Sequence, residues 1–159
     1  MKPLLAIALC LGTAAPLLAQ ETVPDYKDDR STPAAVVTSL YNAIDRHEYL
    51  RAWSYFAEDS APEFATFRDG YTDTDKVELR LGDVQSDGAA GSIHSLVPVA
   101  IRATQSDGTA KVFTGCYRLT QVQPGAQETP PFRPIQIDDG TLDPTDADFD
   151  EAMGRCDAA

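Results

Sequence analysis

Few side chains in this sequence have types and spacings that could do chemistry. His94 can change charge near neutral pH and a carboxylate such as Asp45 could orient it, so this pair is the candidate for acid–base work. The local pattern opposes that reading. His94 falls out of phase with Ile93, Val97 and Val99, which places it on the outer face of a strand or on a dimer surface. Asp45 stands beside Arg46 near a helix end, as solvated charges do.

Metal chemistry is no better supported. His47 and Glu48 are adjacent, but with His94 the only other histidine none of the short zinc-ligand spacings occurs. Asp146, Asp148 and Asp150 open like a calcium loop, yet Glu151 replaces the required glycine and Asp157 stands where a bidentate glutamate belongs. An acidic, capped helix start explains them better. There is no serine nucleophile elbow, phosphate loop or dinucleotide fingerprint, so no cofactor is implied.

The aromatic residues carry more information. Tyr41, Trp53, Phe56, Phe64, Phe67, Phe113 and Tyr117 all fall on inward-facing positions of the expected elements. They could fill a core, as large aromatics usually do, or line an apolar cavity with a few hydrogen-bonding points. Tyr41, Trp53, Phe56, Phe67, Phe113 and Tyr117 are therefore the candidate ligand-binding set. Cys116 and Cys156 are the candidate disulfide, closing a loop of about 40 residues. They are far from a C-x-x-C spacing, and no histidine stands beside either to activate a thiol.

That disulfide needs an oxidising compartment, and the N-terminus supplies an address. Lys2, the apolar run Leu4 to Leu11 and the small-residue segment Gly12 to Ala19 have the form of a secretory signal peptide over residues 1–19, with cleavage expected after Ala19. Gly12 and Pro16 interrupt a stretch too short to span a membrane. Cys10 would be a lipidation site only with a small residue before it, and Leu9 is there instead. A periplasmic or secreted protein is expected, with no membrane attachment after cleavage.

The chain has 25 acidic and 13 basic residues, a formal charge of −12, and loss of Lys2 makes it one unit more negative. Such a field disfavours nucleic acid and anionic lipid as partners and favours solubility.

The elements that must position the candidates are legible in outline. Residues 20–31 are charged, lack apolar periodicity and read as a flexible lead-in. Thr32-Pro33 caps a helix from about Pro33 to Arg46, with Val36, Val37, Leu40, Tyr41 and Ile44 on one face. Tyr49, Leu50, Trp53 and Phe56 mark a second helix, and Ser60-x-x-Glu63 the capping box of a third. From Thr72 the pattern alternates. Strands are expected around Val77–Leu81, Ile93–Ile101 and Lys111–Val122, with hairpin turns at Ser86-Asp87-Gly88 and Ser106-Asp107-Gly108. A short edge strand is expected at Phe132–Asp138, then a helix capped by Thr145 or Asp148 that turns Phe149, Met153 and Cys156 inward. These readings divide the mature chain into a single domain, 32–138, and an acidic segment, 139–159, tethered by the disulfide to the outer face of the strand carrying Cys116.

Helices followed by long antiparallel strands, with Ala35-Val36-Val37 through Tyr41-Asn42-Ala43-Ile44, then Tyr49-Leu50-Arg51-Ala52-Trp53, Val97-Pro98-Val99 and Gly115-Cys116-Tyr117-Arg118-Leu119, resemble the nuclear-transport-factor-two-like superfamily. That superfamily includes ketosteroid isomerase and the SnoaL-like proteins, and the chain looks most like its small secreted members. The resemblance covers roughly residues 32–138. It implies an α+β fold in which N-terminal helices pack in the concave face of a strongly curved antiparallel sheet, forming a cone whose interior is a pocket, an active site or a core.

The isomerase's tyrosine, base and protonated acid cannot be placed residue by residue. Tyr41 and Asp45 lie on the corresponding helix, but no second interior carboxylate appears. The expected function is a non-catalytic domain binding a small apolar ligand or a protein partner, with a homodimer through the sheet possible. The alternatives are an isomerase- or dehydratase-like enzyme needing Tyr41 and Asp45 in one cavity, and a purely structural module.

Overall fold

The computed structural model describes residues 23–157; the expected signal peptide, with Cys10, lies outside them. Helix α1 spans Pro33–Asp45. Its N-cap is Thr32, whose hydroxyl accepts from the Ala35 N–H, with Pro33 supplying a pre-set first turn. His47 takes a positive φ of 57° and bends the chain into α2, Tyr49–Trp53. Helix α3, Phe64–Asp69, is capped by Glu63, whose carboxylate accepts from the Thr66 N–H at 2.7 Å. The cap is thus three residues later than the Ser60 box predicts.

Five strands follow: β1 Thr74–Leu81, β2 Gln85–Ala89, β3 Ser92–Gln105, β4 Ala110–Val122 and β5 Gln136–Thr145. They form one antiparallel sheet ordered β1-β3-β4-β5, with β2 sharing the edge of β3 that β1 occupies further along. Odd-numbered residues of β3 and β4, including Val97, Val99, Ile101, Tyr117 and Leu119, join Val36, Val37, Leu40, Tyr41 and Ile44 of α1 in one core. This is an α+β fold with helices against the concave face of a curled sheet.

Four expectations are corrected. Ser86-Asp87-Gly88 is strand, paired with His94 and its neighbours, and the hairpin turns at Ala90-Gly91, both at positive φ (47° and 85°). Two left-handed residues match the twist of a two-residue hairpin, and Gly91 adopts that conformation without penalty. The last strand starts at Gln136 and continues to Thr145, so the sheet, and with it the domain, extends past residue 138.

The C-terminal segment is not a helix. It makes one turn, closed by Ala152 N–H to Asp148 O, and lays Phe149, Ala152 and Met153 on the outer sheet face against Ala100 and Val112. Arg80 donates to the Phe149 and Ala152 carbonyls (2.6 and 3.0 Å), satisfying groups a longer helix would have bonded itself.

The lead-in is tied down where it is described. Lys27 N–H donates to Asn42 Oδ1, Asp29 N–H to Ser39 Oγ, and the Tyr55 hydroxyl to Asp28. Arg51 lies over the Tyr26 ring at 4.5 Å and donates to the Lys27 carbonyl. A charged segment without apolar period can be ordered when its own backbone finds polar partners on a helix face. Burial pushes the Asp28 carboxyl up, but the Tyr55 hydroxyl and the Arg30 and Arg51 charges outweigh it and hold Asp28 below its ordinary value.

Cys116 and Cys156 are bonded, with their Cα atoms 5.2 Å apart, and Gly154 N–H donates to Val99 O. The bridge closes a loop across a separation of 40 residues. On the chain-entropy model, removing it with Cys116→Ser and Cys156→Ser together costs about 4 kcal/mol of stability, read as a lower denaturation midpoint. An unchanged midpoint would show that the tail is held without it.

Candidate functional site

A cavity of about 440 Å³ opens into the concave side of the sheet beneath α3. Phe67 and the following Tyr71 form its helical side. Val77 of β1, Ile101 of β3, Phe113 of β4 and Leu142 of β5 supply the sheet wall, and Tyr41 of α1 also lines it. Thr66, Gly70, Thr74, Ala103, Gln105 and Lys111 complete the lining. The aromatic rings brace one another edge to face, Phe56 on Phe67 at 5.7 Å and Phe67 on Tyr71 at 5.2 Å.

Tyr41 and Tyr117 are buried with their hydroxyls 2.6 Å apart and their rings nearly perpendicular at 68°. One proton lies between the two oxygens, and the other has no acceptor among the described residues. Burial pushes both phenols well above their ordinary value, and it takes Tyr71 up to about 12. These groups are therefore neutral hydrogen-bonding hydroxyls near neutral pH, not bases. No carboxylate or imidazole lines the cavity.

Of the six sequence candidates, the structure brings Tyr41, Phe67 and Phe113 to this cavity, with Tyr117 bonded to Tyr41. Phe56 packs against Phe67 but is not in the lining, and Trp53 is elsewhere, donating from Nε1 to the Pro62 carbonyl and packing on Phe64. Tyr71, Leu142 and Lys111 were missed. Lys111 shares the inward parity of Phe113 and Tyr117, so alternation alone could have found it; Tyr71 and Leu142 lie beyond the expected ends of their elements.

The acid–base pair is not assembled. Asp45 Oδ1 accepts from the Val77 N–H at 2.7 Å, capping a group on the open edge of β1. Tyr41 and Asp45 do border a common cleft of about 400 Å³ between α1 and β1, but the Tyr41 hydroxyl is bonded to Tyr117 instead. His94 is exposed on the outer sheet face, in a groove of about 770 Å³ shared with Asp87, Leu96, Arg118, Thr120 and Asp138. Thr120 spends its one hydroxyl proton on Asp138 Oδ2 at 2.6 Å, so His94 must donate from Nδ1 to Thr120 Oγ1 at 2.9 Å. This fixes the imidazole tautomer and leaves Nε2 open, but no described nucleophile is hydrogen-bonded to it.

The metal candidates are engaged otherwise. His47 Nε2 meets the Thr74 carbonyl at 3.2 Å, and Glu48 bridges Arg46 and Arg51. Asp148 accepts from the Asp150 N–H, and no cluster of three or more metal-ligating side chains occurs among the described residues. No helix of the described residues is long and apolar enough to cross a membrane.

No protein-family model matches the chain, and no curated protein matches it. A solved structure from Novosphingobium aromaticivorans, provisionally described as an aromatic ring hydroxylase, is similar at TM-score 0.54 and 17% identity, over 79% of this chain and 92% of the other. The two share an α+β fold of a few helices against a curled antiparallel sheet. At that identity the likeness concerns architecture, and what the cone does here depends on its own lining.

Raised phenol values make a stability statement. Protons held more tightly by the folded state stabilise it fully below about pH 10, and that contribution is lost as pH rises toward about 12. Tyrosinate absorbance of the native protein at pH 11 should accordingly fall short of the denatured protein's by at least the contribution of Tyr41, Tyr71 and Tyr117, with Tyr49 and Tyr55, also raised by burial, adding to the deficit. Equal absorbance would contradict their burial.

Proposed function

We propose that this chain is a secreted or periplasmic, non-catalytic member of the nuclear-transport-factor-two-like superfamily that binds a small apolar ligand inside its cone. The observation carrying this reading is the cavity of about 440 Å³, walled by Phe67, Tyr71, Ile101, Phe113 and Leu142, with neutral tyrosine hydroxyls, Thr66, Thr74, Gln105 and Lys111 as its polar points. An apolar enclosure with few directed polar groups is the usual form of a small-molecule site. Acid–base catalysis there would need a group that titrates near working pH, and the lining offers only phenols shifted upward and one lysine. The Cys116–Cys156 bridge supports an oxidising compartment.

A protein partner or second copy on the outer sheet face would have to use the His94 end, because Phe149 and Met153 cover the surface around Ala100 and Val112. That end exposes Phe132, which borders Thr120 and Asp138, and Val84 just before β2, so it supports the second reading, a partner on the outer face.

Native mass spectrometry of protein from an oxidising compartment tests the reading. A stoichiometric small-molecule mass, lost from a variant in which Ile101→Trp fills the chamber, is the expected result. A bare polypeptide that also fails to take up any apolar probe would overturn it.

A further inference from the structure

The cavity holds one charged side chain. Lys111 occupies a position on β4 whose neighbours of the same parity, Phe113, Tyr117 and Leu119, all face the concave side, and it sits across from Ala103 of β3. Lys111 is itself exposed, so its ammonium is hydrated at the solvent end of the lining, where it can meet a charged group on a ligand whose apolar body lies deeper. Its ammonium has no carboxylate within ion-pair distance among the described residues. Asp107, in the β3–β4 turn, feels its charge but is committed to Thr109, accepting from both its N–H and its hydroxyl. Gln105 and Thr74, paired across β3 and β1, add uncharged hydrogen-bonding groups to the same lining.

Resting on the reading of the cone as a ligand site, we infer that the ligand is an aromatic monocarboxylate, its ring system between Phe67, Tyr71 and Phe113 and its carboxylate on Lys111. Three features select this class. The rings offer edges and faces to a flat apolar body. A single ammonium matches one negative charge as a point charge, without the fork that recognises phosphate. The chain's formal charge of −12 opposes multiply charged anions more strongly than singly charged ones, while a cationic ligand would meet Lys111 with like charge.

The test compares 2-naphthoate with its uncharged methyl ester by titration calorimetry at low salt, on the full chain and on Lys111→Gln, Lys111→Arg and Lys76→Gln. Lys76 is exposed on β1 and outside the cavity, so its variant controls for the change in net charge. The expected result is a preference for the carboxylate of about tenfold, abolished in K111Q, kept in K111R and K76Q, with ester affinity the same in all four. Acid and ester binding equally well, with K111Q without effect, would overturn the inference and leave the apolar site standing. Equal losses in K111Q and K76Q would also overturn it, since net charge alone would then act. Failure of both probes to bind the full chain would count against the ligand site itself.

Discussion

The hydrogen bond between Tyr41 and Tyr117 is the contact on which the rest of this fold depends. It joins α1 to the middle of β4, in a core made mostly of aliphatic side chains whose attraction has no direction. One buried hydroxyl donates to the other there, whereas either alone would forfeit its hydration without return. The demand propagates outward. A Cβ at Gly140, across from Tyr117 on β5, would run into the tyrosine ring, so that strand must carry glycine at this register. Tyr41, the partner of that ring, also contributes to the lining of the chamber. Position of the helix, sequence of the facing strand and existence of the cavity are thus parts of one constraint.

Outside that core the chain secures both of its described ends. At the N-terminal end Arg46, Arg51 and Arg30 hold the segment before α1, through backbone carbonyls of Pro24 and Lys27 and through the rings of Tyr26 and Tyr55. At the C-terminal end a disulfide, Arg80 and a small apolar cluster hold the tail to the convex face. The helices close the concave side and the tail covers part of the convex one. The chamber mouth, the groove around His94 and the cleft between α1 and β1 remain open.

The helical half was readable because its signals are local. Thr32-Pro33 starts α1, and the apolar spacing of Val36, Val37, Leu40, Tyr41 and Ile44 is undisturbed by any competing pattern. The alternation of β3 and β4 gave the inward tyrosine and the outward cysteine, while the disulfide followed from the two cysteines that remain beyond the expected signal peptide. Only the start of β5 was expected, as a short edge strand ending at Asp138, because the rest has little apolar alternation to show: Asp139, Asp143 and Pro144 suit an edge that resists further pairing and resemble a loop. Gly88 read as a turn because a turn needs glycine, but Gly91 was three residues away to serve it. The site divided along the same line. Tyr41, Phe67 and Phe113 were found by periodicity, while Trp53 shares that periodicity and yet packs beside Phe64, since a helix face is broader than the cavity it borders.

A double-mutant cycle of Tyr41→Phe and Tyr117→Phe, measured by urea denaturation, tests the central constraint most directly. Each single change should cost about 1–3 kcal/mol by stranding the partner hydroxyl, and the double variant should cost less than the sum by about 1 kcal/mol or more. Strictly additive losses would mean that the two tyrosines do not act on each other, and that the helix is held to the sheet by apolar packing alone.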